Sequence, residues 1–212
     1  DGMALSAVGL IFENLRTACR HGGDLQAREK MLLASTYAGI AFTRANVGYV
    51  HAIAHQFGGR YHTPHGLANA IVLPHVLRFS LPDITDRLAT LAVRAGLGDE
   101  GESEDVLAQK FIDGVVALER DLGIPTHLDA LQEADIPALA RAACHEAHTG
   151  YPVPRYLTQE GCEGLIRLVL PPPAAAGARA RPKAAAPKKA APKAATPAKS
   201  TARPGRAPRT PK

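Results

Sequence analysis

Apolar positions along this chain recur at helical spacing in almost every segment that shows a pattern. Between Ala4 and Arg20, hydrophobic residues fall every three or four positions, which is the period of an amphipathic helix. Leu25 to Arg44 continues in the same way and contains small residues that permit close helix contact. The motif HGGD, residues 21–24, separates the two segments and predicts the end of the first helix.

The later segments keep the helical period. Residues 67–77 are apolar enough for a buried helix, and Leu81-Pro82-Asp83 predicts the start of another, because proline and acidic residues suit a helix N-terminus. The apolar residues of 106–122 line one face of an amphipathic helix, and shorter helices are predicted at 135–148 and 157–170. No alternating strand pattern appears, so the predicted fold class is all-α, a helical bundle.

One stretch, Gly48 to Phe79, contains five of the nine histidines. His51 and His55 are four positions apart, so a helix would place them on one face. The pair Gly58-Gly59 is predicted to break that helix, and His65 stands where the next helix begins. This arrangement would bring three imidazoles towards one point, and imidazole is the commonest metal-binding side chain. The competing interpretation is that the histidines bond to carbonyl groups in the core.

Of two other kinds of metal site, a metalloprotease site is excluded and a second site at Cys144, His145 and His148 is a weaker interpretation. Ala52 follows His51, whereas the HExxH motif of a metalloprotease needs a glutamate at that position as general base. The group Cys144, His145 and His148 has no partner pair of the zinc-ribbon type, and its spacing is more typical of a helix face. The three cysteines are odd in number and unevenly spread, which indicates no disulfide framework and favours a reducing, cytoplasmic location.

Five segments of the sequence carry a resemblance to one enzyme family. They read AREKMLLASTYAGIAF, GYVHAIAHQFGG, TPHGLANAIVLPHVLRF, DIPALARAA and YPVPRYLTQEGCEGLIRLVL. Together they resemble the C-terminal, metal-binding domain of the iron-containing (group III) alcohol dehydrogenases. The resemblance covers residues 1–170 and implies a helical bundle like the C-terminal domain of dehydroquinate synthase.

The resemblance implies roles for four side chains. His51 and His65 would bind a catalytic Fe²⁺, or Zn²⁺ in some members. His55 would point into the cleft beside the nicotinamide and the substrate, as a catalytic and cofactor-binding residue rather than a ligand. Phe42 would line the substrate pocket. The implied reaction interconverts small alcohols with aldehydes or ketones, with NAD(P) as the second cofactor.

The resemblance also implies parts that this sequence does not contain. It has no glycine-rich fingerprint of a nucleotide site between a strand and a helix. The family holds that site in an N-terminal α/β domain, and its two other metal ligands, an aspartate and a histidine four residues apart, also come before the matching segment. We therefore expect residues 1–170 to be the C-terminal part of such an enzyme, inactive alone. The complete protein could form a homodimer.

The composition changes abruptly at Pro171. Residues 171–212 contain 11 of the 25 basic residues and no acidic residue, so residues 1–170 carry 14 basic against 20 acidic residues. The tail also lacks aromatic residues, Val, Ile and Leu, and frequent prolines interrupt any helix. It is therefore predicted to be disordered, because it cannot bury enough apolar surface to fold.

Such a tail suggests a different class of function. A disordered cation binds polyanions by releasing counterions, without reading sequence. The alternative to the dehydrogenase is therefore a nonenzymatic, nucleic-acid-associated protein that acts through its histone-like tail, while a solvated tail with no specific partner is a third interpretation. No membrane partner is expected, because no apolar run reaches the length that spans a bilayer.

Overall fold

The computed structural model of the protein describes residues 1–172, and most of these are helical. The helices are α1 Gly2–Arg20, α2 Leu25–Ala45, α3 Tyr49–Tyr61, α4 His65–Arg94, α5 Glu104–Asp121, α6 Ile136–Gly150 and α7 Gln159–Arg167, with a short 3-10 helix at Glu133–Asp135. Residues 1–172 contain no β-strand, which confirms the all-α fold class. The predicted disorder of the tail concerns residues that lie outside this described part.

Capping side chains fix several of the predicted helix boundaries. The carboxylate of Asp24 accepts a hydrogen bond of 3.0 Å from the backbone N–H of Ala27, so α2 begins where the HGGD motif ends. The hydroxyl of Thr158 likewise accepts from Gly161 N at 3.1 Å and starts α7. The helices predicted at 4–20, 25–44 and 106–122 are confirmed to within about two residues at each end.

The predicted helix break at Gly58-Gly59 is wrong. Helix α3 continues through both glycines to Tyr61 and ends at His62, which adopts the left-handed conformation with φ 55° and ψ 30°. Glycine costs a helix about 1 kcal/mol relative to alanine, but the last turn is fixed by tertiary bonds. The guanidinium of Arg60 and the hydroxyl of Tyr61 both donate to Asp135, at 3.0 and 2.7 Å. Tertiary contacts therefore override the local preference.

The predicted helix start at Leu81-Pro82-Asp83 falls beside a kink, at which two helical segments join within α4. These residues lie inside α4, which runs on to Arg94. The backbone departs from helical geometry at Ile84, with φ −139° and ψ 20°. Proline lacks the N–H of a helical hydrogen bond and crowds the preceding turn, and α4 accommodates it by kinking rather than by ending.

Two clusters of buried apolar residues form the core, and α4 contributes to both. The first cluster combines α3, α6, α7 and the N-terminal half of α4, with Phe57 at its centre and 0% exposed. The second combines α5 with the C-terminal half of α4 around Leu88 and Ile112. Helix α1 joins the second cluster through Phe12, whose ring centroid lies 5.8 Å from that of Phe111.

Helix α2 packs mainly against α1 and leaves much of its apolar surface uncovered. Its only buried residues are Ala27 and Ala34. Large side chains along it are exposed, including Leu32 at 71% and Ile40 at 50%. Even so, no helix within residues 1–172 has the length and apolar character that crossing a bilayer requires.

Candidate metal centre

The structure brings the imidazoles of His51, His55 and His65 together at the junction of α3 and α4. The ring centroids of His51 and His55 lie 5.8 Å apart, and that of His65 lies 5.3 Å from His51 and 5.4 Å from His55. The rings of His55 and His65 are nearly parallel, at 21°. Three histidines that are up to fourteen positions apart in sequence therefore form one cluster.

A short connection and small buried side chains explain why α3 and α4 meet at this junction. Only residues 62–64 connect α3 to α4, and the left-handed His62 turns the chain before Pro64, which precedes the first residue of α4. Ala52 on α3 and Ala68 on α4 are both 0% exposed and belong to the same core cluster, and their small side chains permit close packing of the two helices. His65 consequently begins α4 beside the face of α3 that carries the other two histidines.

The environment of His51 favours a neutral imidazole. Burial lowers the pKa of His51 below its ordinary value, and the neighbouring His65 and His55 lower it further, since positive charges on adjacent rings would repel one another. Only the neutral imidazole has a lone pair free for a metal ion. The electrostatics of the cluster therefore agree with metal binding.

No pattern in the sequence predicts the carboxylate that contacts this cluster. One oxygen of Glu146 on α6 lies 2.6 Å from His55 Nδ1 and accepts from the Tyr151 hydroxyl at 2.6 Å, and the other oxygen accepts from Gln56 Nε2 at 3.0 Å. Burial raises the pKa of Glu146, but these hydrogen bonds outweigh burial and leave the pKa below its ordinary value. The same contact raises the pKa of Tyr151 to about 12. Glu146 is therefore an ionised acceptor.

Asn69 is a second neighbour that the sequence did not single out. Its side-chain amide lies 3.2 Å from His65 Nε2 and donates to the backbone carbonyl of His65 at 2.8 Å. The other amide atom, Oδ1, is buried and has no hydrogen-bond partner within residues 1–172. Buried oxygens without a partner are uncommon in folded proteins. Oδ1 of Asn69 is therefore a hydrogen-bond acceptor beside His65 that residues 1–172 leave unsatisfied.

The chemistry of the cluster fits part of a metal site. In the part of the chain that the structure describes, no three His, Cys, Asp or Glu side chains are arranged to hold a metal ion by themselves. The cluster does present imidazole nitrogens, which suit Fe²⁺ and Zn²⁺. A carboxylate behind one imidazole and an unsatisfied oxygen beside another are the surroundings that such sites use. The residues therefore fit a metal ion as an incomplete donor set.

Phe42 is the fourth side chain to which the resemblance gives a role. It is near the end of α2 and is 53% exposed, and its ring forms no aromatic pair with the histidines among the described residues. Helix α2, which carries Phe42, packs mainly on α1. The expected place of Phe42 in a substrate pocket stays a prediction.

The weaker candidate group on α6 is divided between two environments. The thiol of Cys144 is buried and contacts the backbone carbonyl of Leu157 at 3.6 Å. His148 lies on the exposed side, where Nε2 is 2.9 Å from the Tyr49 hydroxyl and the ring stacks on Tyr156 at 4.3 Å. These side chains pack α6 against its neighbours and do not converge on one point.

A family model and several curated proteins match this chain. The model of the Fe-containing alcohol dehydrogenase family, C-terminal, matches residues 1–170. A 1,3-propanediol dehydrogenase of Klebsiella pneumoniae is 46% identical over 150 residues, which cover 70% of this chain and 39% of that protein. The lactaldehyde reductase of Escherichia coli (strain K12) is 39% identical over 152 residues, covering 71% of this chain and 39% of that protein.

Solved structures give the same match. The crystal structure of a 1,3-propanediol oxidoreductase superposes with a TM-score of 0.76 at 41% identity, covering 80% of this chain and 45% of that one. An alcohol dehydrogenase from Oenococcus oeni gives a TM-score of 0.75 at 35% identity, covering 80% of this chain and 44% of that one. The chain thus spans less than half the length of the proteins it matches.

Proposed function

The chain belongs to the Fe-containing alcohol dehydrogenase family, whose C-terminal region matches residues 1–170, and on this basis we propose that it is the metal-binding helical part of an NAD(P)-dependent alcohol dehydrogenase. The cluster of three imidazoles at the junction of α3 and α4 is the observation that carries this proposal. The relatives named 1,3-propanediol dehydrogenase and lactaldehyde reductase suggest small alcohols and aldehydes as the substrate class.

The proposed roles divide the cluster into ligands and a proton-handling group. His51 and His65 would hold the divalent ion, Fe²⁺ or Zn²⁺, which supplies Lewis-acid stabilisation of the substrate oxygen when bound. His55 would lie beside the substrate and the nicotinamide, where it would accept the hydroxyl proton of the alcohol and return it in the reverse reaction. Phe42 would line the substrate pocket of the complete protein.

The organisation of the chain follows from the same proposal. Residues 1–170 would form the helical domain, while nucleotide binding and the remaining metal ligands would come from a second domain. The imidazole cluster has no carboxylate among its proposed ligands to offset the charge of the ion. Since surrounding partners alter metal affinity by about 10–100-fold each, we expect the 212-residue chain alone to bind metal weakly and to have no dehydrogenase activity.

Metal binding by the chain provides the first test. Titration calorimetry should give dissociation constants of roughly micromolar or weaker for Zn²⁺ and anaerobic Fe²⁺. His51→Ala or His65→Ala should abolish the binding, and His55→Ala should weaken it less. Binding should also fall as the pH drops through the ordinary imidazole range at about 6.5, because protonated histidine cannot bind a metal ion.

The exposed His62 provides a matched control for that titration. It lies in the connection between the same two helices, and His62→Ala should leave the affinity unchanged. Nanomolar binding that all three cluster substitutions remove equally would instead indicate a self-sufficient three-histidine site. Binding that survives both His51→Ala and His65→Ala would contradict the assigned ligands.

Turnover provides the second test. The protein expressed with its natural upstream coding sequence and loaded with Fe²⁺ or Zn²⁺ should oxidise short alcohols with NAD⁺ or NADP⁺. His51→Ala and His65→Ala should remove this activity by removing the proposed ligands. A metal-loaded protein that turns over none of a panel of simple alcohols and aldehydes would refute the proposed function.

The composition of residues 171–212 favours a second, independent function, the binding of nucleic acid. Residues 171–212 carry 11 basic and no acidic residue, and such a charge density suits non-specific contact with the phosphates of a nucleic acid. These residues lie outside the described part of the chain, so the proposal rests on their composition. In its strongest form, the tail would be the active part of a nonenzymatic nucleic-acid-associated protein.

A further inference from the structure

We propose that Glu146 is the positioning residue of His55, holding its imidazole in the tautomer with the proton on Nδ1 so that Nε2 is the nitrogen that handles the substrate proton. The second half of this inference rests on the proposed function, whereas the first half concerns this chain alone. Glu146 lies on α6, a helix that contributes neither a proposed ligand nor a proposed catalytic group.

The hydrogen-bond pattern around Glu146 fixes the direction of every bond. The Tyr151 hydroxyl and the Gln56 amide donate to the carboxylate at 2.6 and 3.0 Å, and an ionised carboxylate can only accept. The remaining contact, 2.6 Å from His55 Nδ1, must therefore also be donated to Glu146. It follows that Nδ1 carries a proton, and in the neutral ring Nε2 carries the lone pair.

The placement of the ring makes this tautomer relevant to the cluster. With Nδ1 held by Glu146, the ring of His55 lies nearly parallel to that of His65, with centroids 5.4 Å apart. No hydrogen bond from residues 1–172 reaches Nε2 of His55, and its side chain is 39% exposed. The nitrogen with the free lone pair is thus available to a substrate while the other is fixed.

The carboxylate is itself held in place. Gln56 follows His55 directly on α3, and its amide also donates to the backbone carbonyl of Ala52 at 3.0 Å. Tyr151 lies just beyond the end of α6 and approaches the same carboxylate oxygen as His55. Three donors, two on α3 and one just after α6, therefore restrict Glu146 to one orientation, as required of a group that orients a proton-transfer residue.

The test measures the tautomer of His55 in the 212-residue chain by long-range ¹H–¹⁵N correlation of its ring nitrogens at pH 8. His55→Gln assigns the signals by their disappearance. The wild-type chain should show a protonated Nδ1 and an unprotonated Nε2. Glu146→Ala should change the ratio of the two tautomers by about tenfold or more, because a charge-assisted hydrogen bond is lost.

Matched variants separate positioning from a general structural role. Gln56→Ala and Tyr151→Phe each remove another donor to the same carboxylate and should leave Nδ1 of His55 protonated. Glu146→Gln keeps an acceptor without the charge and should give an intermediate ratio, which also serves if Glu146→Ala does not fold. A wild-type ring protonated on Nε2 would overturn the inference, as would an unchanged ratio in a folded Glu146→Ala or Glu146→Gln chain.

The tautomer measurement also distinguishes this inference from the proposed function. If the ring nitrogens behave as expected and the complete metal-loaded protein shows no NAD(P)-linked turnover, Glu146 positions His55 but the dehydrogenase proposal fails. If turnover is present and the tautomer does not depend on residue 146, the dehydrogenase proposal stands and the positioning role is wrong.

Discussion

At the scale of single residues, Glu119 on α5 has the most unusual environment of the described carboxyl groups. Its Oε1 atom is buried and has no hydrogen-bond partner within residues 1–172. Burial raises the pKa of Glu119 from 4.5 to about 7, although the charge of Arg78 opposes the rise. Between pH 4.5 and about pH 7, Glu119 is therefore protonated in the folded protein and ionised in the unfolded chain.

This environment predicts how stability depends on pH. Because the pKa of Glu119 is higher in the folded state, its ionisation destabilises the fold progressively as pH rises from about 4.5 to about 7. Glu119→Gln should raise the free energy of unfolding at pH 8 by about 1–2 kcal/mol, a value reduced for partial exposure. The variant should change little at pH 4, where the carboxyl is protonated in both states.

Urea unfolding at the two pH values measures the effect. Glu29→Gln provides the control, since Glu29 lies on the exposed surface of α2 and also loses one negative charge. If Glu119→Gln and Glu29→Gln raised the free energy of unfolding equally at pH 8, the effect would come from net charge, and the role of burial would be wrong.

The histidine cluster shows which site residues can be predicted from the sequence and which cannot. His51 and His55 are recognisable because a helix converts their spacing of four into a shared face. Glu146 is 91 positions from His55 and reaches it only because α6 packs beside α3. No local period connects the two residues, so the contact depends on tertiary packing that the sequence pattern does not specify.

At the scale of helices, Tyr49 joins three segments around the first core cluster. Its ring is 2% exposed. Its hydroxyl accepts from the backbone N–H of Leu157 at 2.9 Å and lies 2.9 Å from His148 Nε2. The first turn of α3 is thereby linked to α6 and to the segment before α7.

Removing this hydroxyl should be costly. Tyr49→Phe leaves the buried N–H of Leu157 without an acceptor, and an unsatisfied buried group costs about 1–3 kcal/mol. We expect that loss in the free energy of unfolding, measured with urea. His148→Ala removes only the more exposed partner and should cost less, so a larger effect of His148→Ala would contradict this account.

Helix boundaries were predicted well where a side chain caps the helix and poorly where packing decides. Asp24 and Thr158 mark starts that are visible in the sequence. The glycine pair in α3 is a local signal for a break, yet α3 continues through it, whereas Pro82 in α4 is followed by the kink at Ile84. At the glycine pair, the contacts of Arg60 and Tyr61 with the distant Asp135 outweigh a local preference of about 1 kcal/mol per glycine.

At the scale of the whole molecule, charge is distributed unequally along the chain. Residues 1–170 carry 14 basic and 20 acidic residues, whereas residues 171–212 carry 11 basic and no acidic residue. If the tail contacts phosphates, the chain should bind arbitrary duplex DNA at roughly 50 mM salt and lose about a thousandfold or more in affinity at roughly 200 mM.

Fluorescence anisotropy with two unrelated DNA duplexes would measure this binding. Truncation after Leu170 should abolish it, and replacing the basic residues of the tail by glutamine should have the same effect. Equal affinities for the two duplexes are expected because phosphate contacts carry no sequence information. The absence of binding by the intact chain at low salt would rule out the nucleic-acid function.

The loose attachment of α2 has a consequence for how the protein opens. Local unfolding requires little free energy where little apolar surface is buried, so such segments exchange their amide hydrogens early. Helix α2 buries only two alanines, whereas α3 is anchored by Phe57 and Ile53. The backbone amides of α2 should therefore exchange with solvent as a separate cooperative unit, while those around the histidine cluster stay protected until the whole fold opens.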